Sequence, residues 1–193
     1  MARSARYRVS FRRKRIGKTD YRRRVKLLLS RTPRLVVRPG SRNITAQLIS
    51  YSLHGDRVLA SAHSRELGKY GWKGPGSNIP AAYLVGLLCG KRAMEKKQKK
   101  AIFDLGFQAP MKGGRIFTVL KGTLDAGLEV PHAEDALPRE ARIRGEHLSK
   151  YAGLLKGESK KMFSKYFKRK LDPAELPEHF EKVRKKIMTS KGK

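Results

Sequence analysis

The chain has 193 residues, with 46 Lys and Arg against 16 Asp and Glu, a formal net charge of +30 and an isoelectric point near 10.8. Charge of one sign at this density repels itself in a compact fold and calls for a polyanion, which argues against an enzyme of small metabolites and towards nucleic acid. Hydrophobic residues make up 39%, enough for a core; one cysteine excludes a disulfide framework and a four-cysteine zinc site.

No apolar run approaches the roughly 18 residues of a membrane span. The first thirty positions carry arginines where a secretory signal needs an apolar stretch, so a cytoplasmic location with no membrane partner is expected. The charge sits mainly at the two ends. Residues 1–31 hold 13 Lys and Arg against Asp20 alone, residues 150–193 hold 14 against five acids, and the 118 residues between hold only +9. The expected organisation is a basic amino-terminal arm (1–17), an α/β body (18–131) and a basic helical carboxy-terminal extension (132–193).

In chain order, Thr19 is a plausible N-cap, after which Tyr21, Val25, Leu28 and Leu29 recur at helical spacing with Arg23 on the opposite side. This first helix is expected to have a core face and a basic face. Pro33 ends it. "RLVVR" (34–38) reads as a short buried strand, and "PGSRN" supplies a turn. In "ITAQLISY" (44–51), Ile44, Ala46 and Leu48 share one face, and in "RVLASAHS" (57–64) Val58, Ala60 and Ala62 do the same. Three strands joined by short turns predict an antiparallel meander.

"ELGKYGWKGPGSNIPAAY" (66–83) then gathers four glycines and the only tryptophan before turning apolar. Asn78 or Ser77 is placed to cap a helix with Pro80 in its first turn, running through "AAYLVGLLCGKRAMEKK". Gly86 and Gly90, one turn apart, predict close packing of that helix on the sheet, and Cys89 reads as a small core hydrophobe. "AIFDLGF" (101–107), nearly all apolar and following a helix, predicts a strand parallel to its neighbour. "IFTVLKGTLDAGL" (116–128) is an amphipathic helix stopped by Gly127 and Pro131. The fold class is therefore α/β, a layered α/β/α domain in the order helix, three-strand meander, helix, strand, helix. Beyond Pro131 come short helices with too few apolar positions for a core of their own. They should lie on something else, and a chain ending near Pro138 is expected to fold and to bind RNA.

Catalytic and cofactor motifs fail on their residues. The loop Gly71–Gly76 lacks the Lys-Ser/Thr ending of a Walker motif and the spacing of a dinucleotide fingerprint. Histidines at 54, 63, 132, 147 and 179 are scattered, and His132 beside Glu134 and Asp135 reads as a solvated loop. No catalytic constellation, metal site, cofactor or small-molecule substrate is expected. RNA fits the loop better: Lys69 and Lys73 would neutralise phosphates, Tyr70 and Trp72 offer flat faces to an unstacked base, and glycine lets the backbone approach a sugar-phosphate chain. The competing reading of Trp72 is a lid folded over the sheet edge. A ribonuclease would share the charge but should gather carboxylates or a histidine pair at the basic surface. A chromatin-like DNA binder would not need the aromatic-glycine loop.

Three stretches carry a resemblance: "YRRRVKLLLSRTPRLVVRPGSRNITAQLI", "GWKGPGSNIPAAYLVGLLCGKRA" and "GGRIFTVLKGTLDAGLEVPH". Together, in collinear order over roughly residues 1–132, they resemble the large-subunit ribosomal protein that binds 5S rRNA, the L-eighteen family, in its longer archaeal and eukaryotic form. The resemblance implies an α/β/α layered domain that attaches 5S rRNA to the large subunit at the central protuberance. It also implies contacts with 23S rRNA and neighbouring ribosomal proteins. Carried onto this sequence, the RNA-contacting regions fall on Arg3, Arg6, Arg8, Arg12, Arg13, Lys14 and Arg15 of the arm, Arg22 and Arg23 of the first helix, and the loop from Lys69 to Lys73.

Overall fold

The computed structural model describes residues 5–155 and 159–190. A single helical turn, α1 (Arg12–Arg15), precedes α2 (Tyr21–Leu28). Asp20, not Thr19, caps α2: its carboxylate accepts the backbone N–H groups of Arg22 (3.0 Å) and Arg23 (3.2 Å). The expected core face of this helix is absent. Val25 and Leu29 are 57% and 77% exposed, and no residue of α2 is buried. Polar links hold the helix instead, Arg23 to the Gly106 carbonyl and Arg24 to Asp56, while Tyr21 packs on Phe11 of the arm with ring centroids 5.3 Å apart.

Strands β1 (Arg34–Pro39), β2 (Ile44–Ser50) and β3 (Arg57–His63) form the meander, and β4 (Ile102–Asp104) lies parallel to β1, giving the order β3-β2-β1-β4. Leu35 pairs with Leu48, Val37 with Ala46 and Ala60 with Leu48, so these side chains build one inward layer. The pairing slips once. Ile49 faces Val58, which makes Leu59 the extra residue of a bulge. Val58 is thereby turned outward and is 51% exposed, while Leu59 packs on the core in the place expected of Val58.

Helix α3 (Ile79–Glu95) starts at Asn78, whose Oδ1 accepts the Ala81 N–H at 2.9 Å, and has Pro80 in its first turn. Every residue from Pro80 to Gly90 is buried, because three partners surround the helix. The sheet is one. The second is α4 (Arg115–Asp125), and the glycines serve this contact rather than the sheet: a Cβ on Gly86 would run into the Val119 carbonyl of α4, one on Gly90 into Thr123 and Ala126, and one on Gly122 into Tyr83 and Leu87. Cys89 is fully buried, and burial pushes its thiol pKa up to about 12.

The third partner is the extension, made of α5 (Glu140–Arg144), α6 (Glu146–Leu154), α7 (Ser159–Met162), α8 (Ser164–Lys168) and α9 (Leu176–Thr189). Each short helix is poor in apolar residues, but Ile143, Phe163, Tyr166, Leu171, Leu176, Phe180, Val183 and Ile187 pool into the same cluster as the body core. Leu176, Phe180, Val183 and Ile187 recur at helical spacing along one face of α9. Phe180 meets Tyr83 of α3 with centroids 5.5 Å apart. Lys91 of α3 reaches across to the carbonyls of Ile187, Met188 and Ser190, where its ammonium satisfies the open end of α9.

Candidate nucleic-acid interface

The glycine-rich loop is entered through a 3₁₀ helix, Ser64–Tyr70, that begins with a reciprocal cap. His63 Nδ1 accepts the Arg65 N–H, and Glu66 accepts the His63 N–H. Gly71 closes it in the left-handed region at φ 89°, which a side chain would resist. The chain then crosses irregularly to the Asn78 cap of α3.

Trp72 is only 7% exposed. One face of its indole stacks on His179 of α9 (centroids 5.3 Å, planes 25° apart), and the ring lies so close to Gly74 that any Cβ there would overlap it. Its Nε1–H donates to the Pro75 carbonyl at 3.1 Å. An indole so enclosed is packed rather than laid out for a base, which argues against the stacking role expected of Trp72: the contacts of the ring are with His179 of α9 and with Gly74 and Pro75 of its own loop. Tyr70 is half-buried against the core, while Lys69 and Lys73 are exposed.

The loop backbone is fixed from four sides. The Lys73 N–H donates to His179 Nε2 (3.1 Å), and Arg169 Nη1 donates to the Gly74 carbonyl (2.7 Å). Arg115 of α4 donates to the carbonyls of Gly40 and Ser77, and Ser77 Oγ donates to the Ser41 carbonyl (2.9 Å). For Nε2 to accept, His179 must be neutral. Burial first, and then the charges of Lys73, Lys182 and Lys186, hold its pKa below the ordinary value of 6.5.

Between the loop, the 3₁₀ helix and the β1–β2 turn runs a groove of about 630 Å³. Its lining includes Arg42, Arg65, Lys165 and Arg169 and no acidic residue. The sequence pointed to none of these four. Arg42 was visible only as part of a turn, and Lys165 and Arg169 only as members of a basic run.

The other expected cations lie elsewhere. Arg6, Arg8, Arg12, Arg13, Lys14 and Arg15 are all exposed on the arm and α1, as are Arg22 and Arg23 on α2; Arg3 is outside the described residues. Arg13 and Lys18 border a second cavity over the outer face of the sheet, with Arg24, Arg34, Arg38, Asp56 and Asp104. There the buried Arg34 bridges Asp104 (2.6 Å) and Asp56 (2.7 Å). This cluster lies at the Arg34 end of β1 and the glycine loop beyond the Pro39 end, about 17 Å away at roughly 3.3 Å per residue. The structure therefore separates the predicted residues into two basic patches, with Arg38 on the intervening strand.

Among the described residues no group of three His, Cys, Asp or Glu side chains is placed to hold a metal ion, and no helix is long and apolar enough to cross a membrane.

Residues 5–101 match the family model described as ribosomal large subunit proteins 60S L5 and 50S L18. The chain is also 50% identical over 188 residues to the large ribosomal subunit protein uL18 of Methanothermobacter thermautotrophicus, covering 97% of this chain and 98% of that protein. This chain belongs to the L18 family of large-subunit ribosomal proteins. The family match spans the arm, the meander, the glycine loop and α3, so both basic patches fall within it except where α8 and Arg169 reach in from the extension. The archaeal relative is matched across that extension as well.

Proposed function

We propose that this protein binds 5S rRNA and attaches it to the large subunit at the central protuberance, contacting 23S rRNA and neighbouring ribosomal proteins. Membership of the family makes it a constituent of the large ribosomal subunit, acting in translation within the ribosome. The choice of 5S rRNA rests on the resemblance carried by α2 with β1 and β2, by the glycine loop with α3, and by α4. The observation that supports RNA as the ligand is the state of the cations. Those of the arm and the groove stand exposed with few acids near them, while the body's acids are largely engaged with other basic residues, Asp56 and Asp104 with Arg34, Glu66 with Arg92, Asp125 with Lys121.

In this reading the arm supplies phosphate contacts, since the planar fork of arginine bonds phosphate oxygens bidentately and stacks on exposed bases. The sheet, α2 and the fixed glycine loop supply shape. A filter-binding comparison of 5S rRNA, an unrelated structured RNA and duplex DNA at matched salt tests it: preference for 5S rRNA is expected, and equal affinity for the three refutes it. Deleting residues 1–17 should lower the slope of log K against log salt by roughly 4–5 if about six arm charges meet phosphates. A slope unchanged by the deletion would remove the arm from the interface.

A further inference from the structure

Outside the arm, the groove beside the glycine loop differs from the other arginine-bearing regions of the fold in what its charges do. Arg92 is paired with Glu66, Arg115 is spent on two carbonyls, and Arg24 and Arg34 are held by Asp56 and Asp104. In the groove, the side chains of Arg42, Arg65 and Lys165 make no hydrogen bond or ion pair with a described residue. Arg169 uses Nη1 on the carbonyls of Gly74 and Lys73 and leaves Nε and Nη2 without a partner among the described residues. Four cations facing one cleft with no acid in its lining repel one another, and the cheapest relief is an anion seated between them. The cleft's size, about 630 Å³, is within the roughly 300–1,000 Å³ of pockets that hold small ligands.

The groove is also composite. Arg42 comes from the β1–β2 turn, Arg65 from the 3₁₀ helix, and Lys165 and Arg169 from the extension. We propose that this groove is a phosphodiester-binding site for an rRNA strand, assembled jointly by body and extension, with Lys165 and Arg169 completing it. The proposal rests on the reading of the protein as an rRNA binder and moves the loop's contact from base stacking on Trp72 to phosphate binding in the cleft that Trp72 and Gly74 help to line. Arg169 has two tasks there: it fixes the Gly74 carbonyl and presents its remaining donors to the phosphate. The extension is thus part of the RNA site as well as a cover for α3.

The test uses the full chain and 5S rRNA as the probe, with affinity measured over a range of salt for the wild type, Arg65→Gln, Lys165→Gln, the double variant, and Lys99→Gln. Lys99 is exposed beyond the far end of α3 and is the control. Because the Arg65 and Lys165 side chains bond to nothing among the described residues, their loss should leave the melting temperature unchanged. Each variant should lower the salt slope by about 0.7–0.9 and weaken binding roughly four- to fivefold at about 0.15 M salt, and the double variant about twentyfold. Lys99→Gln should do neither. Groove variants with the slope and affinity of Lys99→Gln would overturn the proposal. Failure here is separable from failure of the 5S rRNA reading, because that reading is decided by the wild type's choice among nucleic acids and this one by the difference between variants on a single RNA.

Discussion

Replacing Gly122 by alanine sets two effects of opposite sign against each other. Helix propensity favours alanine by about 1 kcal/mol in a helix interior. Packing opposes it, since the new Cβ would stand 2.8 Å from the Leu87 backbone nitrogen, 3.1 Å from the Tyr83 carbonyl carbon, and closer still to the Tyr83 oxygen. Ordinary contact begins near 3.4 Å, so α3 and α4 would have to part by at least 0.6 Å. The obstructing atoms are backbone and cannot swing aside, and α3 is pinned from behind by the sheet and by α9. Overpacking of this kind costs about 1–3 kcal/mol, occasionally more. With backbone on both sides the upper end applies, leaving a net loss of about 2 kcal/mol after the propensity gain. For a chain of this length that lowers the melting temperature by about 4–8 °C. Gly153 in α6 is the internal control: a Cβ there meets nothing within 4 Å, so Gly153→Ala should stabilise by up to about 1 kcal/mol. Thermal unfolding followed by circular dichroism and by Trp72 fluorescence measures both. A melting temperature for Gly122→Ala at or above that of the wild type would refute the account of the α3–α4 contact.

Folding lowers the pKa of His179, so as pH falls the unfolded chain is protonated first, and stability should be full above about pH 6.5 and decline below it. His147, also lowered, by burial and then by Arg142, contributes in the same direction. His179→Gln, whose amide oxygen can still accept from Lys73, should therefore flatten the curve of melting temperature against pH below about 6.5 without abolishing it; identical wild-type and variant curves would exclude the assigned role. Lys91→Met keeps the stem and removes the charge from three carbonyls at the end of α9, and should cost about 1.5–3 kcal/mol in urea unfolding; a change below about 0.5 kcal/mol would show the cap to be idle. Ending the chain near Pro138, expected from sequence to be tolerated, should instead abolish cooperative unfolding, because Leu176, Phe180, Val183 and Ile187 leave one side of α3 bare; a sharp two-state transition in the shortened chain would restore the earlier expectation.

The meander was legible because β2 alternates in step with its pleat, β1 is a short apolar run and all three strands are bounded by turn residues, and α3 because a cap, a first-turn proline and an apolar run coincide. What escaped reading depends on pairing between distant residues. The bulge at Leu59 exists only relative to the register of β2, so no local pattern announces it. Val25 and Leu29 have the spacing of a buried stripe, yet α2 meets the body through its arginines and leaves them in solvent. The glycines of α3 correctly indicated close approach but not to what, since the partner glycine on α4 is needed to define the contact. The extension looked coreless because its buried apolar residues are scattered over short helices and the turns between them, and become one cluster only when these pack on each other and on α3. The loop's lysines were legible as exposed cations, whereas the groove was not: Arg42 and Lys165 are 123 residues apart in sequence.

The burial of α3 on every side has a temporal meaning. Its third cover is synthesised after the body, since α9 ends at Thr189, 58 residues downstream of Pro131, so at roughly 5–20 residues per second about 3–12 s pass between completion of the α/β body and completion of α9. Throughout that interval the growing polypeptide displays Tyr83 and its apolar neighbours to solvent, and a ribosome stalled before Leu176 holds that display open indefinitely. Protease added to such stalled chains should cut within or beside α3, and the same sites should close once release lets Phe180 dock. An unfinished copy is thus chemically distinguishable from a finished one by a single greasy helix, before either has met its RNA.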